Sequence, residues 1–432
     1  MQAGAVARVV GAARASGILS EETPLAGFID FDAVRGCVDA MRDAFPAHWH
    51  HLFAAKANPL VPVLRRMRQL GLGCEAASAG ELALALAAGF TAEDIMLDSP
   101  TKTMAELRRA LELGVALNVD NFQELRRVDE LARQGEAASI GLRVNPQVGI
   151  GSIAATSTAG RDSKFGVPLK DAGSRRAVID AVTARPFLRR LHLHVGSQGC
   201  SLELLASGVV EVVTLARSIN DAAGAQRVDC IDIGGGLPVN YDRDEMQPTY
   251  AAYAAVLAQR APELFCGDFE VTTEFGRSLI AKCGVLVTAV EYTKTAGGAS
   301  VAMTHAGADS LTRSVLLPET WPLRVRCFDA AGTPRDGPLS PWDVAGPLCF
   351  SGDVIARDRM LPGIEPGDWV AVLDTGAYFF SSPWTYNSRP APPVFGVERN
   401  DAGDPTFHVL RSAQSIDDVV RANGGFPPTD DA

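Results

Sequence analysis

The side chains best suited to chemistry stand just after short apolar runs. Lys56 follows Phe53-Ala54-Ala55. A lysine at a strand end that points into a barrel mouth is partly desolvated, which lowers its pKa and frees the amine to form a Schiff base. A rim lysine snorkelling to solvent fits the same position. Gly234-Gly235-Gly236 follows Cys230-Ile231-Asp232-Ile233. Three glycines after a strand let backbone N–H groups approach a phosphate. A plain turn explains them equally well, and neither a dinucleotide fingerprint nor a P-loop is present. In His194-Val195-Gly196-Ser197 the imidazole is suited to stack on a flat cofactor and the hydroxyl to bind a phosphate oxygen. The bland alternative is a hydrogen-bonded core histidine. In Glu274-Phe275-Gly276-Arg277 the acid is suited to a protonated pyridine nitrogen and the guanidinium to a carboxylate or phosphate. A surface Glu–Arg pair is the alternative. Cys349 and Tyr378, read alone, fit the core better than a site.

The elements that must position these groups follow from the chain's rhythm. From about residue 50 to 290, short β-rich runs alternate with Ala/Leu/Glu/Arg-rich helical stretches. HLFAAKAN, GCEAAS, IMLDSP, VALNVDN, IGLRVNP, LRRLHLHVGS, CIDIGGG and FEVTTEFGR read as strands. LVPVLRRMRQLGL, AGELALALAAGF (closed by Gly89) and FQELRRVDELARQG (with a glycine stop) read as helices. This predicts a parallel (β/α)8 barrel of the TIM type, whose site lies where the strands end. After about residue 290 strand-like runs such as VLVTAVEYTKT, LRVRCFDAAG, WVAVLDTGAYFF and PTFHVLRS dominate, and Pro and Gly become dense in PRDGPLSPWDVAGP. The expected division is residues 1–45 as a segment joining the β domain through FIDFDA, 46–290 as the barrel, 291–420 as a mainly β domain and 421–432 as a disordered tail.

Composition narrows the class. The 432 residues exceed one ordinary core. A net charge of −11 with dispersed basic residues argues against nucleic acid. No apolar run reaches about eighteen residues, so no membrane span is expected. The small, weakly basic start MQAGAVARVVGAARASG reads as a frayed or helical extension before it reads as a transit peptide. Eight scattered cysteines form no C-x-x-C pair and no zinc-spaced set, so no metal is expected and a reducing cytoplasm is.

Taken together and in order, the motifs are specific. The chain resembles the fold-type-III pyridoxal-phosphate (PLP) decarboxylases of the diaminopimelate, ornithine and arginine group, nearest the diaminopimelate branch. The matching stretches are AAKAN (54–58), SAGEL (78–82), RVNP (143–146), DSKFG (162–166), HVGSQ (194–198), DIGGGLP (232–238), EFGR (274–277), CFSGD (349–353), GAY (376–378) and YNSRP (386–390). The resemblance implies an alanine racemase-like barrel with a C-terminal β domain. Lys56 would carry PLP as a Schiff base and His194 would stack on its face. Ser197, Gly234, Gly235, Gly236 and Tyr378 would bind the phosphate, with Gly276 beside them. Glu274 would meet the ring nitrogen, and Arg277 would lie near phosphate and substrate. Cys349 would reprotonate Cα. Cys349 and Tyr378 would reach a neighbour's site, making the protein a homodimer with shared active sites.

The sequence also departs from that pattern. The diaminopimelate branch carries C-E-S-G-D where this chain has Phe350 after Cys349, and L-I-R-P-A-L-Y where it keeps Arg313 but has Ser314 and Leu317. Glu75 stands where many relatives have Asp. An apolar ring cannot pair with a distal ammonium, while Arg313 can still meet a distal carboxylate. Arg277, Arg313, Phe350, Asp353 and Tyr378 would line the substrate pocket. The expected reaction is α-decarboxylation of a small-molecule substrate, a modified or conjugated amino acid, as in siderophore or other secondary metabolism. Diaminopimelate decarboxylation in lysine biosynthesis is the alternative. A racemase of the same fold and a non-catalytic binding protein are the further readings. Glu274 speaks against a racemase, and Lys56, His194 and Cys349 against a binding protein.

Overall fold

A computed structural model describes residues 1–132 and 139–425. The chain divides into two compact units. One comprises Arg35–Asn240 and Met246–Leu279; the other comprises Met1–Val34, Tyr241–Glu245 and Ile280–Ala432. The divisions fall near 35 and 280, not at 46 and 291. The long strand Gly284–Ala296 already belongs to the second unit's sheet, and Tyr241–Glu245 is a short excursion that the sequence did not signal.

The first unit is a closed parallel barrel of eight strands: β1 His50–Ala54, β2 Gly73–Ala76, β3 Ile95–Leu97, β4 Ala116–Val119, β5 Ile140–Asn145, β6 Leu188–His192, β7 Cys230–Asp232 and β8 Glu270–Phe275. Seven lie within the predicted runs, and β1 starts one residue ahead of its own, HLFAAKAN at 51–58. Pairing of Phe275 with Phe53, in β8 and β1, and of Leu117 with Ile140, in β4 and β5, completes the ring. A two-residue piece, Val167–Pro168, adds to β5 outside it. Leu52, Met96 and Ala116 form a small apolar cluster. The predicted helices appear as Val61–Gln69, Ala79–Ala87 and Phe122–Ala132, and Gly89 has the left-handed φ of 91° that follows a helix end. The glycine stop expected after the last of these lies outside the described residues.

The second unit is a nine-stranded sheet. Leu25–Asp30, which holds the predicted FIDFDA strand start, lies between Gly284–Ala296 (antiparallel) and Val394–Arg399 (parallel). The N-terminal segment is not frayed. It forms the helix Ala3–Ala15, whose Val6, Val9, Val10 and Ala13 recur at helical spacing and are fully buried or nearly so. They pack in one cluster with Phe28, Val285, Val287, Phe328 and Trp369. Four strands were not read from sequence: Ala299–Thr304, Ser340–Ala345, Val354–Leu361 and Val394–Arg399. Ser340–Ala345 runs through the Pro- and Gly-dense stretch. Its Pro341 removes only one donor, and the strand pairs with Val354–Leu361 through an irregular register. At the expected tail, the helix Ile416–Ala422 runs past residue 421 behind a Ser415/Asp418 capping box. Residues 426–432 lie outside the described residues. Among the described residues, no helix is long and apolar enough to cross a membrane.

Candidate active site

In the barrel unit the predicted residues converge at the C-terminal ends of the strands. Lys56 sits in the single turn Ala55–Ala57 that follows β1. Its Nζ donates to Glu75 Oε2 at 2.6 Å; the lysine side chain is 40% exposed and that of Glu75 is wholly buried. Burial pushes the Glu75 carboxyl up, against the pull of Lys56 and with Glu274 and Asp98 adding to the rise. A carboxylate raised in this way is a proton acceptor for the lysine ammonium, and a lysine that surrenders its proton is a nucleophile. Gly276 is required because β8 crowds β1: a Cβ there would approach the Cβ atoms of Ala57 and Ala54 at 3.0 and 3.1 Å. That approach brings Arg277 to the mouth that holds Lys56.

The glycine turn follows β7. Gly234 and Gly236 have φ of 64° and 101°. A Cβ at Gly234 would lie 2.6 Å from the Leu193 carbonyl oxygen, one at Gly235 would run into the Glu274 carbonyl, and one at Gly236 into that of Gly196. Only glycine fits all three positions, and the turn lays bare backbone N–H groups. The N–H of Gly235 donates to His194 Nδ1 at 3.2 Å. This fixes the tautomer with its proton on Nε2. Burial first, then Arg143 and Lys56, push His194 down to about 3, so the ring is neutral at physiological pH. Arg277, itself buried, donates to Ser197 Oγ at 3.3 Å.

Glu274 is buried, and its Oε1 has no hydrogen-bond partner among the described residues. Burial alone would raise this carboxyl, but His192 and, to a lesser extent, Lys56 together hold the group below its usual range. A buried, ionised carboxylate with an unused oxygen is matched by one N–H of a cationic ring. These features fit PLP. Lys56 would hold the aldehyde carbon. The glycine turn, Ser197 and Arg277 would hold the phosphate, Glu274 the ring nitrogen, and the neutral imidazole of His194 would lie against the ring.

Several groups of this mouth were given no role in the sequence reading: Glu75, Asp98, Arg143, His192 and Asp232. Arg143 donates to Asp98 Oδ2 at 3.1 Å, and its guanidinium lies over the Phe165 ring, 4.6 Å from the centroid. The signal for His192 was available. In LRRLHLHVG it stands two residues before His194, so the two share one face of β6 and its extension.

The remaining predicted residues lie in the β unit. Cys349 is exposed. Its N–H donates to Asn387 Oδ1 at 2.8 Å and its carbonyl accepts from the Tyr386 hydroxyl at 3.2 Å. Asn387 has a left-handed φ of 58°, so YNSRP forms a strained clasp on the cysteine loop. Asp353 is buried. One oxygen accepts from Ala308 N and the other from Leu348 N, both at 2.7 Å. In this unit its carboxylate orders the Cys349 loop. Phe350 packs edge-on to Trp384, with ring centroids 5.6 Å apart, and Trp384 stacks on Tyr386 at 5.0 Å. Tyr378 has a φ of 66°. The Arg313 guanidinium lies over the rings of Tyr378 and Trp321, at 4.5 and 5.5 Å from their centroids.

A barrel that gathers a lysine, a glycine turn and a buried acid at its mouth, with a separate β domain, defines the fold-type-III class of PLP proteins. The comparisons with known proteins assign the family within it. Residues 32–281 match the model of the pyridoxal-dependent decarboxylase, pyridoxal binding domain. A diaminopimelate decarboxylase of Helicobacter pylori is 31% identical over 402 residues, covering 91% of this chain and 93% of the relative. One of Pseudomonas fluorescens is 35% identical over 365 residues, covering 83% of each. The crystal structure of the Helicobacter pylori diaminopimelate decarboxylase complexed with L-lysine superposes with a TM-score of 0.82 at 28% identity, covering 95% of this chain and 99% of that one. The chain belongs to the pyridoxal-dependent decarboxylases, and it is a PLP-dependent amino-acid carboxy-lyase.

Gly235→Ala tests the cradle. The added Cβ meets a backbone carbonyl that cannot yield, so PLP affinity should fall at least about tenfold while the barrel stays folded. Cofactor retained after dialysis, measured by absorbance, reads the effect. Retention equal to the parent protein would refute the cradle.

Proposed function

We propose that this enzyme removes the α-carboxylate of meso-diaminopimelate to give lysine and carbon dioxide. The observation that carries the reading is the likeness over nearly the whole chain to enzymes that bear that activity's name, one of them solved with L-lysine bound. These relatives favour lysine formation over the conjugated, siderophore-type substrate that Phe350 suggested. They also favour decarboxylation over racemisation.

Bound PLP supplies an electron sink for the charge left at Cα when carbon dioxide departs. The chain's own residues do the rest. Glu75 takes the proton of Lys56, which frees the Lys56 amine. Glu274, ionised and buried, holds a proton at the ring nitrogen and so stabilises the charge that develops. The Cα–carboxylate bond breaks, carbon dioxide leaves, and the Cys349 thiol delivers one proton to Cα. Solvent returns that proton, so the balance is substrate plus a proton to amine plus carbon dioxide. Arg313, held by two aromatic faces, offers its guanidinium to the distal carboxylate.

A second reading has one observation in its favour. Phe350, Trp384 and Tyr386 form an aromatic row beside Cys349, and such a surface suits a substrate with an apolar or acylated distal end. Carbon dioxide release from meso-diaminopimelate, lysine, ornithine, and acyl and citryl conjugates separates the two. Diaminopimelate should give the highest kcat/KM, with Phe350→Glu changing it little. A conjugate preferred by about tenfold or more, with Phe350→Glu moving preference back to diaminopimelate, would overturn the proposal.

We also propose that the sites are shared in a homodimer, each pairing Lys56 of one subunit with Cys349 of the other. Lys56→Ala and Cys349→Ala should each be nearly inactive alone. After unfolding and refolding together, random pairing should restore about a quarter of the parent activity. A mixture no more active than its parts would show that no site is shared.

A further inference from the structure

Among the titratable groups of the barrel mouth that the chemistry above does not use, one imidazole stands between two acids. His192, at the end of β6, is completely buried. Its Nδ1 lies 3.7 Å from Asp98 Oδ1 and its Nε2 lies 3.5 Å from Glu274 Oε2. Neither nitrogen has a hydrogen-bond partner among the described residues, and neither has Asp98 Oδ1. The imidazole is therefore a wedge between two carboxylates that come from β8 and from the loop after β3. A neutral imidazole carries one N–H and one lone pair, so one of its two ends would set a lone pair against a carboxylate. A doubly protonated ring meets both with N–H groups.

We propose that His192 is a positioning residue: a buried imidazolium between Asp98 and Glu274 that keeps the Glu274 carboxylate ionised and turned to the barrel mouth. This rests on the decarboxylase reading only for the task given to Glu274; the charge of His192 is a property of the barrel alone.

The surrounding charges agree. The charged groups that act on the ring are Asp98 from β3's end, Glu274 from β8 and Asp232 from β7, with neutral His194 also beside it, while Arg143 from β5, and Lys56 and Glu75 from the first two strand ends, act on those acids. Lys56 is engaged by Glu75 at 2.6 Å and Arg143 by Asp98 at 3.1 Å. Of the cations that act on Glu274, His192 pulls harder than Lys56. Burial alone would push its pKa down, but Asp98, Glu274 and Asp232 together raise it to about 9. Burial, with Glu274 adding to it, raises the carboxyls of both Glu75 and Asp232, so those two groups shed negative charge by taking a proton before Glu274 does. Glu274 is thereby spared from doing so.

The sign of the pH dependence follows. A histidine raised from 6.5 to about 9 by folding contributes stability that is fully present below the unfolded value. That stability is lost as pH rises through about 9.

The test uses the full-length holoenzyme labelled with 15N-histidine and solid-state NMR, with the His192 signals assigned by their loss in His192→Gln. Both ring nitrogens should be protonated at pH 7 and should titrate near pH 9. In Glu274→Gln the ring should release its proton at lower pH. An unprotonated nitrogen at pH 7 would overturn the proposal, and so would stoichiometric metal in the parent protein that disappears in His192→Gln. If His192→Gln fails to fold, Asp98→Asn identifies the signals by their shift, with the same two outcomes. In kinetics, His192→Gln should lose at least about tenfold in kcat with KM within about twofold, and a kcat equal to the parent's would also overturn the proposal. The NMR readout does not depend on the substrate, so an error about diaminopimelate would leave it standing.

Discussion

The ion pair between Lys56 and Glu75 is the constraint on which the rest of the site depends. A wholly buried carboxylate reaches 2.6 Å to an amine that is still 40% exposed. The asymmetry matters. Taking an unpaired carboxylate into a barrel costs several kcal/mol, so Glu75 needs a partner, and its burial makes it a strong proton acceptor for that partner. A lysine at the same place beside a solvated acid would stay an ammonium and would be chemically inert. Every other feature of the mouth serves an amine poised in this way. The glycine turn lets backbone donors crowd in, and Gly276 lets β8 close against β1.

The second half of the site is a matter of charge balance. Glu75, Asp98, Asp232 and Glu274 are all buried at one end of one barrel. Four like charges there would repel by amounts that no folded domain sustains at low effective dielectric. The structure answers with Lys56, Arg143 and His192, and by letting the carboxyls of Glu75 and Asp232 rise while those of Asp98 and Glu274 fall. Neighbouring acids pushed in opposite directions mark different tasks. The raised Glu75 accepts a proton, and the lowered Glu274 stays an anion.

The barrel was legible in the sequence because each strand is a short β-rich run followed by a polar or glycine residue and then a helix. A local signal therefore fixes each β-α unit. Lys56, His194 and the glycine turn were legible for the same reason, since they stand just past strand ends, and Glu274 is one of the last two residues of β8. His192, Asp98 and Arg143 sit within or against strands whose burial conceals their charge, and their meaning lies in pairings across the barrel. Arg143 and Asp98 are 45 residues apart, and no local pattern reports that distance. The β unit was harder. Leu25–Asp30 finds its partners more than two hundred residues later, and four of its sheet's strands were missed. The clasp of Tyr386 and Asn387 on Cys349 depends on left-handed backbone, which non-glycine residues adopt too rarely to be predicted from type. Phe350 was read as a changed substrate reader. It is in place beside Cys349 with an aromatic partner, yet the relatives give the greater weight to diaminopimelate.

The central claim is that the amine of Lys56 is the one that captures PLP. Treating the holoenzyme with borohydride, digesting it and sequencing the peptides by mass spectrometry tests this directly. The account predicts a single reduced pyridoxyl group, carried by the Lys56 side chain, with Lys102 and Lys282 unmodified although both are nearly buried. A pyridoxyl group on any other lysine, or on none, would contradict it.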